Sequence, residues 1–476
     1  MRNKDGRAGI VIVILAAIIV IALLPWYFII SRNLGFDLSG LWDSLSFETS
    51  VDGDDELNDG EEPDDDPALP PTPEPTSTPQ TIGEPGYIIP LDETIISIAA
   101  EYPQLINEIN EVLRRYDCVA AGLTAFNGET GEFFNFDFGY ADLEARQPAN
   151  DQTKFRISSL TKLVTVICAM SLVDQNLLDL DTDISIYLGY EAINSNFPDE
   201  VITPRMLMQH TSSIFDSGAF QTSRDRNSSE SLRYLLERGT SFRRNQPGSV
   251  YEYSDFGYSV LGAICENVAG KSIDIFAREI LFEPLGIDAG YVPGNIQNIE
   301  DIAVIYNESH AVTRSVQSQL DITQSDLLGH DLHLSQGNLT ISALDYSRIL
   351  AMLGNGGVLR DIRVLSSEAV REIYNIGRGT VANDQGFAMR YTLDDFLPGD
   401  GFFWNGGSAY GLFAQFFYSD ARNTNKGIVV ITTGATVSRE PNEMIDVCTE
   451  VSAIVWRALL LSGADNTQSN NGQSDD

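Results

Sequence analysis

Segments with the composition of β-strands lie at both ends of the globular part of this chain, which spans residues 87–460. The four clearest ones are at residues 118–127, 131–140, 411–420 and 426–434. Helical spacing of apolar residues predicts helices at about residues 95–113 and 443–460, and the long stretch between the two strand pairs is mainly helical in pattern. The order predicts an α+β fold: an antiparallel sheet formed by the N- and C-terminal segments with packed helices, plus an inserted, mainly helical lobe.

The first 30 residues predict a membrane anchor. Residues 8–30 carry no charge, and as a helix they would span about 35 Å, enough to cross a bilayer core. Arg2, Lys4 and Arg7 precede this span, whereas after Arg32 no Lys or Arg occurs until Arg114. This asymmetry predicts a short cytoplasmic end at residues 1–7 and an extracytoplasmic location for the rest. A cleaved signal peptide is the alternative, but the apolar run is long and no small-x-small site ends it.

Composition divides the remaining chain and excludes several classes of function. Residues 31–86 include an acidic run and a Pro/Thr-rich run and are predicted to form an extended extracytoplasmic linker, and residues 461–476 a disordered tail. A formal net charge of −38 disfavours nucleic-acid binding. The four cysteines and four histidines lack the spacing of a metal site, so no metal is expected. Sequence alone leaves open whether Cys118 and Cys448 form a disulfide.

The candidate nucleophile lies in Ser159-Leu160-Thr161-Lys162, at the start of an apolar helix. Residues three apart share one face of a helix, so the serine and the lysine would lie together. A poorly solvated lysine favours its neutral form and can accept the serine proton. The S-x-x-K pattern is a signature of penicillin-binding proteins and β-lactamases.

Residues 139–162 and the segments around residues 172–188 and 202–214 resemble the serine β-lactamase-related, penicillin-binding-protein-like family, which includes class C β-lactamases, D-alanyl-D-alanine carboxypeptidases and several esterases. The resemblance runs from about residue 95 to 460 and implies the β-lactamase/transpeptidase-like fold. It suggests a structural role for His210 rather than a catalytic base. Ser213 stands where the family usually has glycine.

Tyr253-Ser254-Asp255 resembles the second motif of this family, Y-x-N. The resemblance implies that Tyr253 acts as a general base toward Ser159, aided by the Lys162 ammonium, and returns the proton to the leaving group. Asp255 departs from the pattern, because an ionised aspartate only accepts hydrogen bonds. It would pair with Lys162, keep the lysine charged and weaken it as a base.

The third motif, usually K-T-G or H-x-G, matches Asn405-Gly406-Gly407 best, although a register on Trp404-Asn405-Gly406 also fits. Neither register supplies a cation, which argues against a penicillin or a carboxylate-terminated peptide as substrate. The resemblance places Asn405, Gly407, Ser408 and Asp255 at the substrate and the Ser159 and Ser408 amides in an oxyanion hole.

The sequence therefore predicts a membrane-anchored serine hydrolase that acts on an ester or amide carbonyl through an acyl-enzyme on Ser159, with Lys162 and Tyr253 moving protons. The expected substrates are cell-wall D-alanyl groups, peptide stems or small esters, and no cofactor is expected. The alternative is a weakly active or inactive family member that serves as a cell-wall or β-lactam sensor. Asp255 and Asn405 favour that alternative, whereas the Ser159–Lys162 pair opposes it.

Overall fold

The computed structural model describes residues 93–226, 232–376, 384–393, 397, 401–419, 425–437 and 444–460. The predicted cytoplasmic end, membrane anchor and C-terminal tail lie outside these residues, as does the predicted linker. Among the described residues, no helix has the length and the apolar composition that crossing a bilayer requires.

An eight-stranded sheet forms the centre of the fold. Its strands are β1 (Thr94–Ser97), β2 (Ala120–Asn127), β3 (Glu132–Asp142), β4 (Gln147–Pro148), β11 (Arg390–Thr392), β12 (Phe402–Ala409), β13 (Leu412–Ser419) and β14 (Lys426–Thr433). The strand order along the sheet is β1-β3-β2-β14-β13-β12-β11, with β4 paired to β3. Strands β2 and β14 pair antiparallel, so both ends of the described chain close one sheet. The α+β prediction is confirmed.

Three two-stranded pairs lie outside this sheet and connect the surrounding loops. They are β5 (Lys154–Arg156) with β8 (Thr340–Ser342), β6 (Ile305–Tyr306) with β7 (Val312–Arg314), and β9 (Val358–Leu359) with β10 (Ile362–Arg363).

One predicted boundary is wrong. Residues 94–97 form β1 rather than the beginning of a helix, and β1 runs parallel to β3 at the edge of an otherwise antiparallel sheet. The segment Thr94-Ile95-Ile96-Ser97 contains three β-branched residues, which favour extended backbone when a strand edge is available. The predicted helix begins only at Ile98.

Fifteen α-helices surround the sheet within the described residues. They are α1 (Ile98–Glu101), α2 (Pro103–Arg115), α3 (Thr161–Asp174), α4 (Ile184–Leu188), α5 (Pro204–Met208), α6 (Gly218–Arg226), α7 (Leu232–Glu237), α8 (Asp255–Ala269), α9 (Ile273–Ala277), α10 (Glu283–Leu285), α11 (Val316–Leu320), α12 (Leu334–Gly337), α13 (Ala343–Gly354), α14 (Ser367–Ile373) and α15 (Asp446–Val455). Turns of 3₁₀-helix occur at Ser158–Leu160, Pro293–Asn295 and Ile299–Asp301, and π-helical turns at Arg278–Phe282 and Trp456–Leu460.

The two faces of the sheet bury two separate cores. On β14, Val429 and Ile431 join the larger core with the helical lobe, whereas Ile428 and Val430 face the smaller core against α2 and α15. Successive side chains of a strand point to opposite faces, so a strand covered on both sides must be apolar throughout. This explains why all eight residues of β2 are buried.

All four cysteines are free, buried thiols, so Cys118 and Cys448 do not form a disulfide in this structure.

Candidate active site

Ser159 lies in a 3₁₀ turn, Ser158–Leu160, that leads directly into the buried helix α3. The preceding residue, Ser158, has φ of 53°, a left-handed conformation that is uncommon outside glycine. Such strain persists where the surrounding structure holds it and is frequent at active sites. The turn fixes Ser159 at the point where α3 meets strand β12.

Lys162 lies one turn further along and is fully buried. Its Nζ is 3.3 Å from Ser159 Oγ, 2.7 Å from Asp255 Oδ1 and 2.7 Å from the backbone oxygen of Gln336. An ammonium group has three N–H donors, and these three oxygens accept one each. The site is therefore built for the charged form of Lys162, as the sequence analysis expected from the Asp255 substitution.

Tyr253 approaches Ser159 from the opposite side. Its hydroxyl donates to Ser159 Oγ over 2.8 Å, and Lys162 Nζ lies 5.0 Å from the centroid of its ring. The Tyr253 side chain is 42% exposed, but desolvation at its hydroxyl, and then the nearby Asp255 carboxylate, raise the pKa of Tyr253 above its ordinary value of 10. In this geometry the Tyr253 hydroxyl donates its hydrogen bond to Ser159 Oγ, and the general-base role aided by Lys162 stays a prediction.

Asp216, which the sequence analysis did not single out, holds the Tyr253–Asp255 turn. Its carboxylate accepts from the amides of Asp255, at 3.2 Å, and Phe256, at 2.8 Å, and from the hydroxyl of Ser254, at 3.1 Å. These groups form the N-terminus of α8, where a carboxylate is favourable. Burial, and then the Asp255 charge, raise the pKa of Asp216.

His210 also contacts the Tyr253–Asp255 turn. Its Nδ1 accepts the amide proton of Ser254 over 3.1 Å, so a neutral ring carries its proton on Nε2. Burial, and then the charge of Lys162, lower the pKa of His210 to about 3. The centroid of the His210 ring lies 4.5 Å from the centroid of the Tyr253 ring. These contacts agree with the structural role predicted for His210. Ser213 has φ of 65°, which explains why the family usually has glycine there.

The far wall of the site is the edge of β12. Gly407 packs against the nucleophile turn: a Cβ there would lie 2.5 Å from the oxygen of Ile157 and 3.1 Å from the amide nitrogen of Ser159. Strand β11 covers β12 only from Phe402 to Trp404, so the following residues present an open edge. This close backbone approach leaves no room for a side chain at position 407.

Backbone alternation along β12 aims the Ser408 amide at the site. The Gly406 N–H bonds to the Asn405 side chain, whose Nδ2 donates to the Ala388 oxygen beside β11, so this N–H points away from β13. The Ser408 N–H, two residues later, points to the same edge. The Ser408 amide therefore points to the open edge of β12, whereas the Asn405 amide is occupied by backbone groups. The oxyanion hole formed by the Ser159 and Ser408 amides stays a prediction.

A cavity of about 270 Å³ opens in front of these groups. Its lining combines the predicted Ser159, Tyr253, Asn405, Gly407 and Ser408, and Trp404 of the alternative register, with residues that sequence reasoning missed, among them Tyr251, Ile445 and Arg390. Arg390 supplies a cation that the third motif lacks, and it pairs with Asp384 at 2.9 Å. Its strand, β11, has no sequence signal that would have linked it to the site. In the described parts of the chain, no group of three or more His, Cys, Asp or Glu side chains is placed to hold a metal.

The sequence model of the β-lactamase family matches residues 108–447, which is most of the chain. This chain belongs to the β-lactamase family. The predicted resemblance is confirmed, and with it the chain's place among serine hydrolases of the β-lactamase and esterase type.

Family members of known name align with parts of the chain. Protein flp of Staphylococcus aureus strain N315 is 29% identical over 169 residues, which cover 35% of this chain and 33% of that protein. Esterase EstB of Burkholderia gladioli is 28% identical over 221 residues, which cover 42% of this chain and 55% of the esterase. The chain thus spans about a third of the length of Protein flp.

Solved structures of this family agree in fold. The octameric penicillin-binding protein homologue from Pyrococcus abyssi has a TM-score of 0.59 at 20% identity, covering 76% of this chain and 78% of its own. The class C β-lactamase from Rhodobacter sphaeroides has a TM-score of 0.57 at 18% identity, covering 75% of this chain and 99% of its own. At these identities the likeness establishes the β-lactamase-like fold.

Proposed function

We propose that this β-lactamase family member is a serine hydrolase that cleaves small esters through an acyl-enzyme on Ser159. The observation that carries the proposal is the convergence on Ser159 Oγ of the Lys162 ammonium, at 3.3 Å, and the Tyr253 hydroxyl, at 2.8 Å. Two donors on one oxygen stabilise negative charge there, as a serine nucleophile requires during attack.

Acylation also needs a group that accepts the Ser159 proton. The proton can pass to Lys162 Nζ while Lys162 gives one of its own to Asp255 Oδ1, which lies 2.7 Å away. The Ser159 Oγ–acyl bond then forms, and the carbonyl oxygen takes up negative charge between the Ser159 and Ser408 amides. Because the lysine–aspartate ion pair is already satisfied, it is a weak acceptor, and acylation is expected to be slow.

The tetrahedral intermediate collapses by breaking the bond to the alcohol. Tyr253, whose pKa is raised, holds its proton at neutral pH and can donate it to the leaving oxygen. The Asp255 proton returns through Lys162 to restore the phenol. Water then attacks the acyl group, and its proton passes to Lys162 Nζ while Lys162 gives one to Asp255. The bond between the acyl carbon and Ser159 Oγ breaks, and the Asp255 proton returns through Lys162 to Ser159.

The wall of the cavity favours esters over penicillins. Asn405 stands where the family resemblance expects a lysine or histidine, and its amide is held by backbone groups. The cation at the rim, Arg390, already pairs with a carboxylate. Esterase EstB, an aligned relative, bears an esterase name. We propose small esters as substrates ahead of D-alanyl groups and peptide stems.

The sensor hypothesis predicts binding without turnover. Three features favour it: the neutral Tyr253, the occupied Asn405 amide and the Lys162–Asp255 pair. Each of them removes a group that the family resemblance assigns to chemistry.

We also propose, from the uncharged run at residues 8–30 and its flanking arginines, that the chain is a single-pass protein with its hydrolase domain outside the cell membrane.

Steady-state turnover separates the two functions. The full-length chain and its Ser159→Ala variant are assayed with 4-nitrophenyl acetate, 4-nitrophenyl butyrate and a chromogenic cephalosporin. The proposal expects ester hydrolysis by the parent that Ser159→Ala abolishes, with much slower β-lactam hydrolysis. Equal, background-level rates for both proteins on every ester would leave the sensor hypothesis standing in its place.

A further inference from the structure

A short hairpin, residues 384–391, forms one wall of the active-site cavity. An antiparallel bridge between Gln385 and Arg390 joins its two arms, and the second arm continues into β11. Gln385, Ala388 and Arg390 all line the cavity. The shape of this end of the cavity therefore depends on where the hairpin lies.

Side chains fix both the shape of the hairpin and its position. Gln385 is buried, and its Nε2 donates to the backbone oxygens of Gly386, at 2.9 Å, and Met389, at 3.0 Å. Ala388 has φ of 55°, a left-handed conformation that costs free energy and persists only where neighbouring contacts hold it. Asn405 on β12 supplies such a contact, because its Nδ2 donates to the Ala388 oxygen over 2.8 Å.

The Asn405 amide uses both of its polar atoms to connect β12 with the hairpin. Its Oδ1 accepts from the Gly406 N–H at 2.8 Å, while its Nδ2 bonds to the hairpin. A lysine, which the family resemblance expects here, has donors only and would not accept from Gly406. The tip of the hairpin is tied separately to the end of α14, where the Phe387 amide donates to the Ile373 oxygen over 3.1 Å. Asn405 therefore holds the part of the hairpin that lines the cavity.

The hairpin lies on the side of the cavity where the proposed mechanism puts the leaving alcohol. Tyr253 donates to Ser159 Oγ over 2.8 Å and, in that mechanism, to the leaving oxygen. Tyr251, two residues earlier, lines the same cavity. Burial raises the pKa of Tyr251, an effect that the nearby charge of Arg390 on the hairpin opposes. An alcohol whose oxygen meets Tyr253 thus has Tyr251 and the hairpin beside it.

The acyl group lies towards the other end of β12. Ser408, a residue of the proposed oxyanion hole, stands three residues beyond Asn405 on this strand, about 10 Å further along it. Strand β11 pairs with β12 only as far as Trp404, so the edge at Ser408 is open. The cavity of about 270 Å³ is below the usual range of about 300–1,000 Å³ for ligand pockets. A wall at one end and an open edge at the other predict a size limit on the alcohol alone.

We propose that the hairpin limits the size of the alcohol group and that Asn405 is the residue that positions it. The assignment rests on the proposed function, because it takes Tyr253 as the donor to the leaving oxygen. It narrows the substrates to esters of compact alcohols, such as one aromatic ring packed beside Tyr251 and Trp404, with a wider choice of acyl group.

Binding without turnover tests this assignment. The full-length Ser159→Ala chain is titrated calorimetrically with three esters. They are phenyl acetate, 2-naphthyl acetate, whose alcohol is larger by one fused ring, and phenyl butyrate, whose acyl group is longer. We expect 2-naphthyl acetate to bind about tenfold more weakly than phenyl acetate, because the larger alcohol overfills the walled end. Phenyl butyrate should bind within a few-fold of phenyl acetate.

Two substitutions release the hairpin from different sides. Asn405→Asp keeps an acceptor for Gly406 but loses the donor to Ala388, and Gln385→Met removes the two bonds inside the hairpin. In the Ser159→Ala background, each should bring the affinity for 2-naphthyl acetate close to that for phenyl acetate, which itself should stay within a few-fold. A loss of stability alone would not strengthen the binding of the larger ester selectively.

Asn355→Asp, also in the Ser159→Ala background, is the matched control. Asn355 is partly buried like Asn405, and its Nδ2 donates over 3.2 Å to the backbone oxygen of Val358, in a turn that does not line the cavity. Its ratio of ester affinities should equal that of the chain that carries Ser159→Ala alone.

Equal affinity of the Ser159→Ala chain for phenyl and 2-naphthyl acetate, including no measurable binding of either, overturns the assignment. It is also overturned if phenyl butyrate is rejected as strongly as 2-naphthyl acetate, or if the folded Asn405→Asp and Gln385→Met variants both keep the preference. Thermal unfolding shows which variants fold. If one does not fold, the other decides, and if neither folds, the positioning role of Asn405 is wrong.

The proposed function fails by a different result. Because the titration involves no catalysis, a parent chain whose Ser159 does not react would overturn the proposed hydrolase and leave the effect of the hairpin on ester binding readable on its own.

Discussion

Lys162 is a buried cation whose behaviour depends on one neighbour. It is fully buried, and Asp255 supplies the negative charge that balances it, at 2.7 Å. Breaking a buried ion pair by removing one partner leaves an uncompensated charge, which costs about 3–5 kcal/mol if the remaining group stays ionised. A lysine can avoid this cost by releasing its proton. The residue at position 255 therefore decides whether Lys162 is an ammonium donor or a neutral base.

Asp255→Asn should convert Lys162 into the better base. We expect kcat/KM for 4-nitrophenyl esters to rise about tenfold, which corresponds to about 1.4 kcal/mol of activation free energy. Steady-state kinetics of the parent and the variant under the same conditions provide the measurement.

A loss of activity in Asp255→Asn would contradict this prediction. If Asp255→Asn folds, as judged by its thermal unfolding midpoint, yet loses ester hydrolysis, then Lys162 cannot act as the base without the Asp255 carboxylate, and the prediction of a faster variant is wrong. Asn is nearly isosteric with Asp, so a change of shape does not confuse the comparison.

At the scale of single residues, spacing in the sequence predicted the pair Ser159 and Lys162, because a helical turn fixes their proximity. It also predicted the Lys162–Asp255 contact. It did not predict Gln336, which contributes a backbone oxygen, since no side-chain pattern reports on a carbonyl. Asp216 was missed because its role is to accept backbone amides from a distant turn.

At the scale of elements, the contact between β12 and the nucleophile turn brings Ser408 and Ser159, the residues of the proposed oxyanion hole, close together. Gly407→Ala would place a Cβ 2.5 Å from the Ile157 oxygen and 3.1 Å from the Ser159 nitrogen, which forces the strand and the turn apart. We expect kcat for ester hydrolysis to fall about 10²-fold, the usual cost of losing one oxyanion donor.

Gly406→Ala is the matched control for this strand. The nearest atom to a Cβ at position 406 is Ile445 Cδ1, at 3.5 Å, which is ordinary van der Waals contact. Its kcat should stay within a few-fold of the parent value, by the same steady-state assay. Equal losses in the two alanine variants would refute the argument that Gly407 is required by the approach to Ser159.

The N-terminus of α8 is the second element on which the site depends. Asp216→Asn retains one acceptor but gives up the charge that holds two amides and the Ser254 hydroxyl. We expect kcat/KM to fall about tenfold as the Tyr253–Asp255 turn loses its fixed position, together with a loss of about 1–2 kcal/mol in unfolding free energy.

Asp288→Asn separates catalysis from stability. Asp288 also accepts two backbone amides, those of Gln297 and Asn298, but in a loop that does not line the cavity. Asp288→Asn should lose at least as much unfolding free energy in urea titrations, because Asp288 also pairs with the buried Lys154 at 3.2 Å, and it should keep its kcat/KM. If both variants lose the same activity, Asp216 acts only through global stability.

Composition predicted the central strands of the sheet correctly, but it did not predict the edge strand β1. Strands β2, β3, β13 and β14 were predicted because alternating or continuous apolar residues are required where a sheet is covered on both faces. Strand β1 was taken as helix, since four residues beside a helical pattern carry too little periodicity of their own. Its identity comes from pairing with β3, a contact that local sequence does not encode.

At the scale of the whole molecule, buried acids that are neutral in the folded chain should shape its stability. Burial raises the pKa of Glu266 from 4.5 to about 7, although its carboxylate accepts the amides of Ile273 and Gly329. A raised pKa means that the folded chain holds a proton that the unfolded chain has lost. The stabilisation is fully present below pH 4.5 and is lost as pH rises through about 7.

Urea unfolding across this pH range compares the parent with Glu266→Gln. The unfolding free energy of the parent should fall relative to the variant by on the order of 3 kcal/mol as pH rises, because one pKa unit corresponds to about 1.4 kcal/mol. His210, whose pKa is lowered to about 3, contributes the opposite slope, but it does so in both proteins. Parallel curves would show that Glu266 does not titrate as described.

The central claim of this account is that Ser159 is a nucleophile, and covalent labelling tests it most directly. The full-length chain is treated with a fluorophosphonate, digested and mapped by mass spectrometry, with Ser159→Ala treated alongside. The account predicts one phosphonate adduct per chain on the peptide that contains Ser159, and no adduct in the variant. An unlabelled parent, or equal labelling of parent and variant at another residue, would contradict it.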